Sequence, residues 1–213
     1  MLLLAIDSSG RQGGITLARS GGNELEIIDS TSIQGGTFSA ELIPQVADLL
    51  GKHNLVPEQL EGLVAVTGPG SFTGLRVGLT AVKGLAEVLK IPIATVTSLE
   101  VMIAAGDGKR VVMAVLDAGR GEVYVAVQSN GRDEMLLSVA EAAEMAVARN
   151  LQVIAAETSI AAKFPDAQLA THSSTELAAR VGFRKLLAGD AVDVLALDAN
   201  YIRRSEAEYK IKK

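Results

Sequence analysis

Apolar positions fall into short solid runs separated by polar or glycine-containing turns. Leu2 to Ile6 is such a run, stops at Asp7, and predicts a buried strand. Ile15 to Ala18, after Gly13-Gly14, and Leu25 to Ile28, after the turn Ser20-Gly21-Gly22-Asn23, predict two more strands in a meander. The loop Gln34-Gly35-Gly36-Thr37 follows. The spacing then changes to a helical one from Ser39 to His53, with Ser39 expected to cap the first amides and Pro44 in the early turns. Leu63 to Thr67 predicts a strand. A glycine-rich loop, Gly68-Pro69-Gly70-Ser71-Phe72-Thr73-Gly74, leads into a second helix that runs to Lys90, and Ile93 to Val96 closes a βββαβαβ series.

After Gly106-Asp107-Gly108 the pattern restarts. Val111 to Leu116 and Val123 to Val127 predict a hairpin, Ala140 to Arg149 and Thr175 to Leu187 predict helices, and Val153 to Ala155 predicts a strand between them. The start of this half echoes the start of the first. Ala5-Ile6-Asp7-Ser8-Ser9-Gly10-Arg11 before Gly14 to Ala18 parallels Val115-Leu116-Asp117-Ala118-Gly119-Arg120 before Glu122 to Ala126. Each is a buried strand ending in Asp, a Gly/Arg turn and a returning strand. The expected fold is α/β, in two lobes: residues 1–105, and a smaller second lobe, 106–213, whose last residues are expected to pack back on the first. A duplicated hairpin-and-helix lobe resembles the actin, sugar-kinase and heat-shock-ATPase architecture (ribonuclease H-like, ASKHA), where two such hairpins hold nucleotide phosphates.

Composition narrows the chemistry. In 213 residues, 48% are hydrophobic, enough for a sizeable core, and there is no Cys, which excludes disulfides and thiolate-bound zinc. The N-terminal apolar run is too short for a signal or a membrane span, so a cytoplasmic protein is expected. The net charge of −5 and 3% aromatics argue against a chain that binds nucleic acid strongly by itself. Its one dense basic cluster is the tail Arg203, Arg204, Lys210, Lys212 and Lys213, which reads as a solvated terminus.

Asp7, Ser8 and Ser9 are the candidate cofactor-binding residues. An Asp at a strand end followed by hydroxyls can hold a metal-bound phosphate, or it can satisfy turn amides. The Gly68–Gly74 loop enters a helix N-terminus, a natural anion site, or serves close backbone packing. It lacks the Lys-[Ser/Thr] of a P-loop, and its glycines do not have dinucleotide-fold spacing. His53 and His172 are far apart and have no metal-binding spacing, and there is no G-x-S-x-G elbow. Glu41, Asp48, Asp117 and Glu122 are carboxylates without an identifiable pairing. No catalytic or metal residue is assigned.

The second helix carries its polar residues, Arg76, Thr80, Lys83, Glu87 and Lys90, on one narrow stripe and is apolar around most of its circumference. The first helix is similar. Such helices predict a helix–helix interface with another chain, through Leu42, Ile43, Val46 and Leu50 on the first and Leu75, Leu79, Val82 and Ala86 on the second. The alternative is burial under the second lobe. On the interface reading, Leu79→Asp is expected to break the interface and leave the monomer folded.

The string Val66-Thr67-Gly68-Pro69-Gly70-Ser71-Phe72-Thr73-Gly74-Leu75-Arg76-Val77-Gly78 closely resembles the bacterial TsaB (YeaZ) family. Leu4 to Ser9, Asp117 to Tyr124 and Tyr201 to Arg204 extend the resemblance along the chain. The resemblance implies an actin-like fold and a place in the complex that makes threonylcarbamoyladenosine in tRNA. It implies a non-catalytic subunit that dimerises with a TsaD-like subunit, with a TsaE-like ATPase as third component and a homodimer when alone. No cofactor is then required by this chain, with ATP or ADP in the complex. TsaD-like chains keep histidine metal ligands on the helix corresponding to the first helix here, where Thr37 to Leu42 contains no His. Family members often have His-Ser-Glu where this chain has Phe38-Ser39-Ala40. The competing reading is a small ATP-dependent enzyme or glycoprotease-like metallopeptidase of the same fold.

Overall fold

The computed structural model describes residues 1–128, 133–170 and 175–202. Strands β1 (Leu2–Asp7), β2 (Gln12–Gly21) and β3 (Glu24–Gln34) form the expected meander, followed by α1 (Phe38–Lys52), β4 (Gly62–Val66), α2 (Phe72–Leu89) and β5 (Ile93–Val96). A short helix, α3 (Ser98–Ala104), then leads into the second half. That half contains β6 (Val112–Gly119), β7 (Glu122–Val127), β8 (Glu134–Ser138), α4 (Val139–Ala148), β9 (Gln152–Ala155), α5 (Thr158–Ala161), β10 (Gln168–Leu169) and α6 (Thr175–Leu187).

The two sheets have the same topology. The first runs β3-β2-β1-β4-β5 and the second β8-β7-β6-β9-β10, each an antiparallel meander continued by parallel strands. The repeated Asp-containing turns occupy equivalent places, between β1 and β2 and between β6 and β7. The second copy is reduced: β8 has 5 residues against 11 in β3, and α5 has 4 against 18 in α2. β8, α3, α5 and β10 have no counterpart in the sequence expectation. They are short, and a half-buried run such as Glu134–Ser138 carries no clear period.

The central strands β1 and β4 are buried along their whole length, which is why they read as solid apolar runs. One face of the first sheet is covered by α1 and α2, whose Leu42, Val46, Leu50, Leu79, Val82 and Ala86 join Leu4, Ile6, Leu17 and Leu63 in one core. The opposite face is covered by α6, whose Ala178, Ala179 and Phe183 pack against Leu3, Ala5, Val64 and Val66. Gly182 makes this approach possible, because a methyl there would run into the Val64 side chain. α6 therefore returns to the first lobe.

α1 begins one residue before Ser39. Phe38 is already helical and buried, and Thr37 holds the cap position without a side-chain capping bond, its hydroxyl donating instead to the Gln34 carbonyl at 2.9 Å. Ser39 is thus an exposed residue inside the helix and caps nothing. The start of α2 is capped by Ser71, whose Oγ accepts from the Gly74 N–H.

Candidate functional site

The lobes enclose a cleft of about 1080 Å³. Both duplicated turns line it, Ser9-Gly10-Arg11 from the first lobe and Leu116-Asp117-Ala118 from the second. In each, the aspartate makes the same local closure. Asp7 Oδ1 accepts from the Ser9 N–H at 2.8 Å, and Asp117 Oδ1 accepts from the Gly119 N–H at 2.8 Å. This is an Asx turn, the local device by which Asp fixes a bend.

Beyond that bond the two hairpins differ. Asp7 is fully buried and also accepts from Ser9 Oγ at 2.7 Å. The Ser8 hydroxyl donates to the Gly74 carbonyl at 2.8 Å, and the Ser71 N–H donates to the Ser9 carbonyl at 2.6 Å. Methyl groups on Gly70 and Gly74 would strike the carbonyl oxygens of Ser9 and Ser8, and one on Gly78 would strike the Ser8 hydroxyl. Gly70 and Gly74 of the loop, with Gly78 in α2, thus serve close packing on the first hairpin. The Ser8 and Ser9 hydroxyls and the Ser9 amide are thus engaged within the chain, while Gly10 and Arg11 face the cleft. At the second hairpin, additions at Gly119 or Gly121 would meet nothing within 4 Å among the described residues. The charged side chains lining the cleft are Arg11, Asp117 and Glu157, two carboxylates to one cation. Among the described residues, no group of three or more His, Asp or Glu stands together as a metal site. His53 pairs with Asp29 at 2.8 Å, beside Lys52 Nζ at 2.6 Å. His172 and the basic tail from Arg203 to Lys213 lie outside the described residues.

The structure places seven of the eight helix residues named as an interface in the chain's own core. Leu42, Val46, Leu50, Leu75, Leu79, Val82 and Ala86 are at most 6% exposed, so they offer no surface to a partner. Ile43, at 53%, is the exception. The outward faces of the two helices are different: Ala40, Ile43, Pro44 and Ala47 on α1, and Thr73, Thr80, Gly84 and Val88 on α2. Both sets have helical spacing and point away from the sheet, and they are small or apolar, with Glu87, paired with Lys90, on the same exposed side of α2. A methyl on Gly84 would meet nothing within 4 Å.

Two constellations have no counterpart in the sequence expectation. Glu134, on the second lobe, accepts hydrogen bonds from Thr97 Oγ1 and Asn200 Nδ2. Burial pushes its carboxyl above the ordinary range, against the pull of those two bonds. Phe72, Arg76 and Tyr201 form an exposed stack. The i,i+4 spacing of Phe72 and Arg76 is a usable sequence signal for their contact, whereas nothing in the sequence brings Tyr201 to them.

Residues 32–209 match the family model described as TsaD: tRNA N6-adenosine threonylcarbamoyltransferase. A Bacillus subtilis protein named tRNA threonylcarbamoyladenosine biosynthesis protein TsaB is 32% identical, over 99% of this chain and 97% of its own length. The chain belongs to the TsaB family. The fold agrees: YeaZ from Pseudomonas aeruginosa superposes with a TM-score of 0.77 at 20% identity, covering 94% of this chain and 99% of that one. A more distant relation in fold, at TM-score 0.50 and 10% identity over 89% and 97% of the two chains, is the activator of 2-hydroxyisocaproyl-CoA dehydratase from Clostridium difficile, solved with bound ADPNP. The chain thus has the actin-like duplicated fold. Its first hairpin is closed by its own glycine-rich loop, and among the described residues no helix is long and apolar enough to cross a membrane.

Proposed function

We propose that this chain is the non-catalytic subunit of the tRNA threonylcarbamoyladenosine machinery and docks to a TsaD-like subunit through the outward faces of α1 and α2. The observation that carries the reading is that face: small and apolar residues at helical spacing on two adjacent helices, with Val88 at 80% and Ile43 at 53% exposure. Exposed apolar surface of this kind on packed helices is the usual mark of an interaction site. The open Gly84 lets a second backbone approach closely. The first hairpin packed under its own glycine-rich loop, and a cleft whose charged lining is two carboxylates and one arginine, support a chain that performs no transfer chemistry and requires no nucleotide of its own. ATP or ADP then belongs to the assembled complex, together with a TsaE-like ATPase. The same face accounts for a homodimer when the chain is alone, and a tRNA substrate places the work in the cytoplasm.

Gly84→Arg tests the reading without endangering the fold, because replacing a mid-helix glycine raises helix propensity by up to about 1 kcal/mol. By light scattering, the wild-type chain is expected to form a dimer alone and a mixed complex with a TsaD-like subunit. Gly84→Arg is expected to melt no lower than wild type and to run as a monomer that ignores the partner. A Gly84→Arg chain that still forms the mixed complex with undiminished affinity rejects this docking face.

A further inference from the structure

Residues 190–202 leave α6 and run back over the first lobe as a strap. The Val192 N–H donates to the Ile93 carbonyl at 2.8 Å, Leu197 is buried in the core beneath α1 and α2, and the Asn200 N–H donates to the Thr67 carbonyl at 2.8 Å. One residue later the Tyr201 ring lies 5.5 Å from that of Phe72, and the Arg76 guanidinium carbon sits 3.7 Å from the Phe72 ring centre on its other contact. Among the described residues, Phe72 and Tyr201 are the two exposed aromatic rings, at 52% and 43%. They touch each other. Asn200 also reaches the second lobe, where its amide donates to Glu134, the carboxylate that Thr97 holds from the first lobe. The strap end is therefore fixed by both lobes.

We propose that Phe72, Arg76 and Tyr201 form an anchor on the rim of the docking surface for the TsaD-like subunit, and that the Asn200–Glu134 bridge sets this anchor, so that the docking surface depends on where the second lobe sits. The proposal rests on the docking reading above. Phe72 and Arg76 share α2 with Thr73 and Thr80 and flank its outward face, so the cluster continues that surface. Two rings and a guanidinium that already hold one another lose little freedom on binding, and these are the residue types that carry binding energy at interfaces. Arg76 has no carboxylate partner among the described residues, and its charge is open to one on a partner. Chemistry beyond the strap points the same way: the eleven residues after Ile202 hold five Lys or Arg against two Glu. The occupant is an acidic, aromatic-accepting rim of the TsaD-like protein.

The test is calorimetric titration of the TsaD-like subunit into full-length variants, each first checked by thermal unfolding. Tyr201→Ala and Phe72→Ala are expected to weaken binding about tenfold or more, while Tyr201→Phe keeps it. Glu134→Ala, remote from the helix face, is expected to weaken binding several-fold, on the order of the loss of one buried hydrogen-bonded contact. Glu134→Gln, whose amide can accept from Asn200 and donate to Thr97 Oγ1, restores it. Wild-type affinity in Tyr201→Ala together with loss in Gly84→Arg overturns the anchor and leaves the docking face standing. Wild-type affinity in both removes the docking reading itself. An effect of Tyr201→Ala with none from Glu134→Ala overturns the dependence on the second lobe. Salt-sensitive tRNA binding by the isolated chain, lost in Tyr201→Ala with TsaD-like affinity unchanged, assigns the cluster to RNA and overturns the protein anchor.

Discussion

A methyl group on Gly78 has nowhere to go, because the Ser8 hydroxyl already fills the space above it. Helix propensity alone favours Gly78→Ala by about 1 kcal/mol, whereas overpacking costs about 1–3 kcal/mol. The expected net result in urea unfolding is a destabilised chain, and a smaller penalty when the change is made in a Ser8→Ala background. Equal penalties in the two backgrounds contradict this account of the glycine-rich loop. Asp29 shows a different kind of residue-level control. Hydrogen bonds from Lys52 and His53, then from the Ser30 amide, hold its carboxyl well below the usual carboxylate range. A depressed folded-state pKa contributes stability that is present above the unfolded-state value, near pH 4, and is lost as pH falls toward the folded one. Asp29→Asn is thus expected to be somewhat less stable than wild type at neutral pH, the gap closing in denaturant melts at about pH 2. A gap that widens on acidification contradicts the assignment.

For the elements, the strands and long helices of the first lobe were legible because each is either solidly apolar or strongly periodic. The orientation of α2 was not. Both of its flanks are apolar, so its pattern leaves open which one meets the sheet. The flank bearing Leu75, Leu79, Val82 and Ala86 does, while Val77, Ala81, Leu85 and Leu89 are partly covered within the same core, to which the strap contributes Val192 and Val194. This reverses the expected outcome of Leu79→Asp. An aspartate there is buried without a partner, and a loss of about 3–5 kcal/mol is expected, with the monomer itself unfolding at lower denaturant. A well-folded Leu79→Asp monomer with a wild-type midpoint contradicts the packing. The short elements of the second lobe were hidden for a plainer reason: α5 has 4 residues and β10 has 2, lengths at which periodicity says nothing.

At the scale of the whole molecule, the duplication was visible in two strings of sequence, and it returns as two sheets of one topology with the same Asx turn at matching corners. Which of the two hairpins the glycine-rich loop packs on was not readable, because that depends on where a distant loop lands. The Phe72–Tyr201 contact was hidden similarly, since it joins residues far apart in sequence. What the sequence does carry about the site is chemical: the glycines that let the loop approach the first hairpin, and the absence of spaced histidines.

The strap also bears on how the chain behaves in a crowded solution. β5 is the last strand of its sheet, and an uncovered strand edge is a template for pairing with another chain. Val192 bridges to Ile93 at that edge, while Leu197 and Ala199 pack over the apolar surface beside it. A molecule clipped after Gly189 loses that seal. It is left with a sticky border on the first lobe, so resistance to aggregation in this protein resides in residues 190–202 as much as in the sheet they cover.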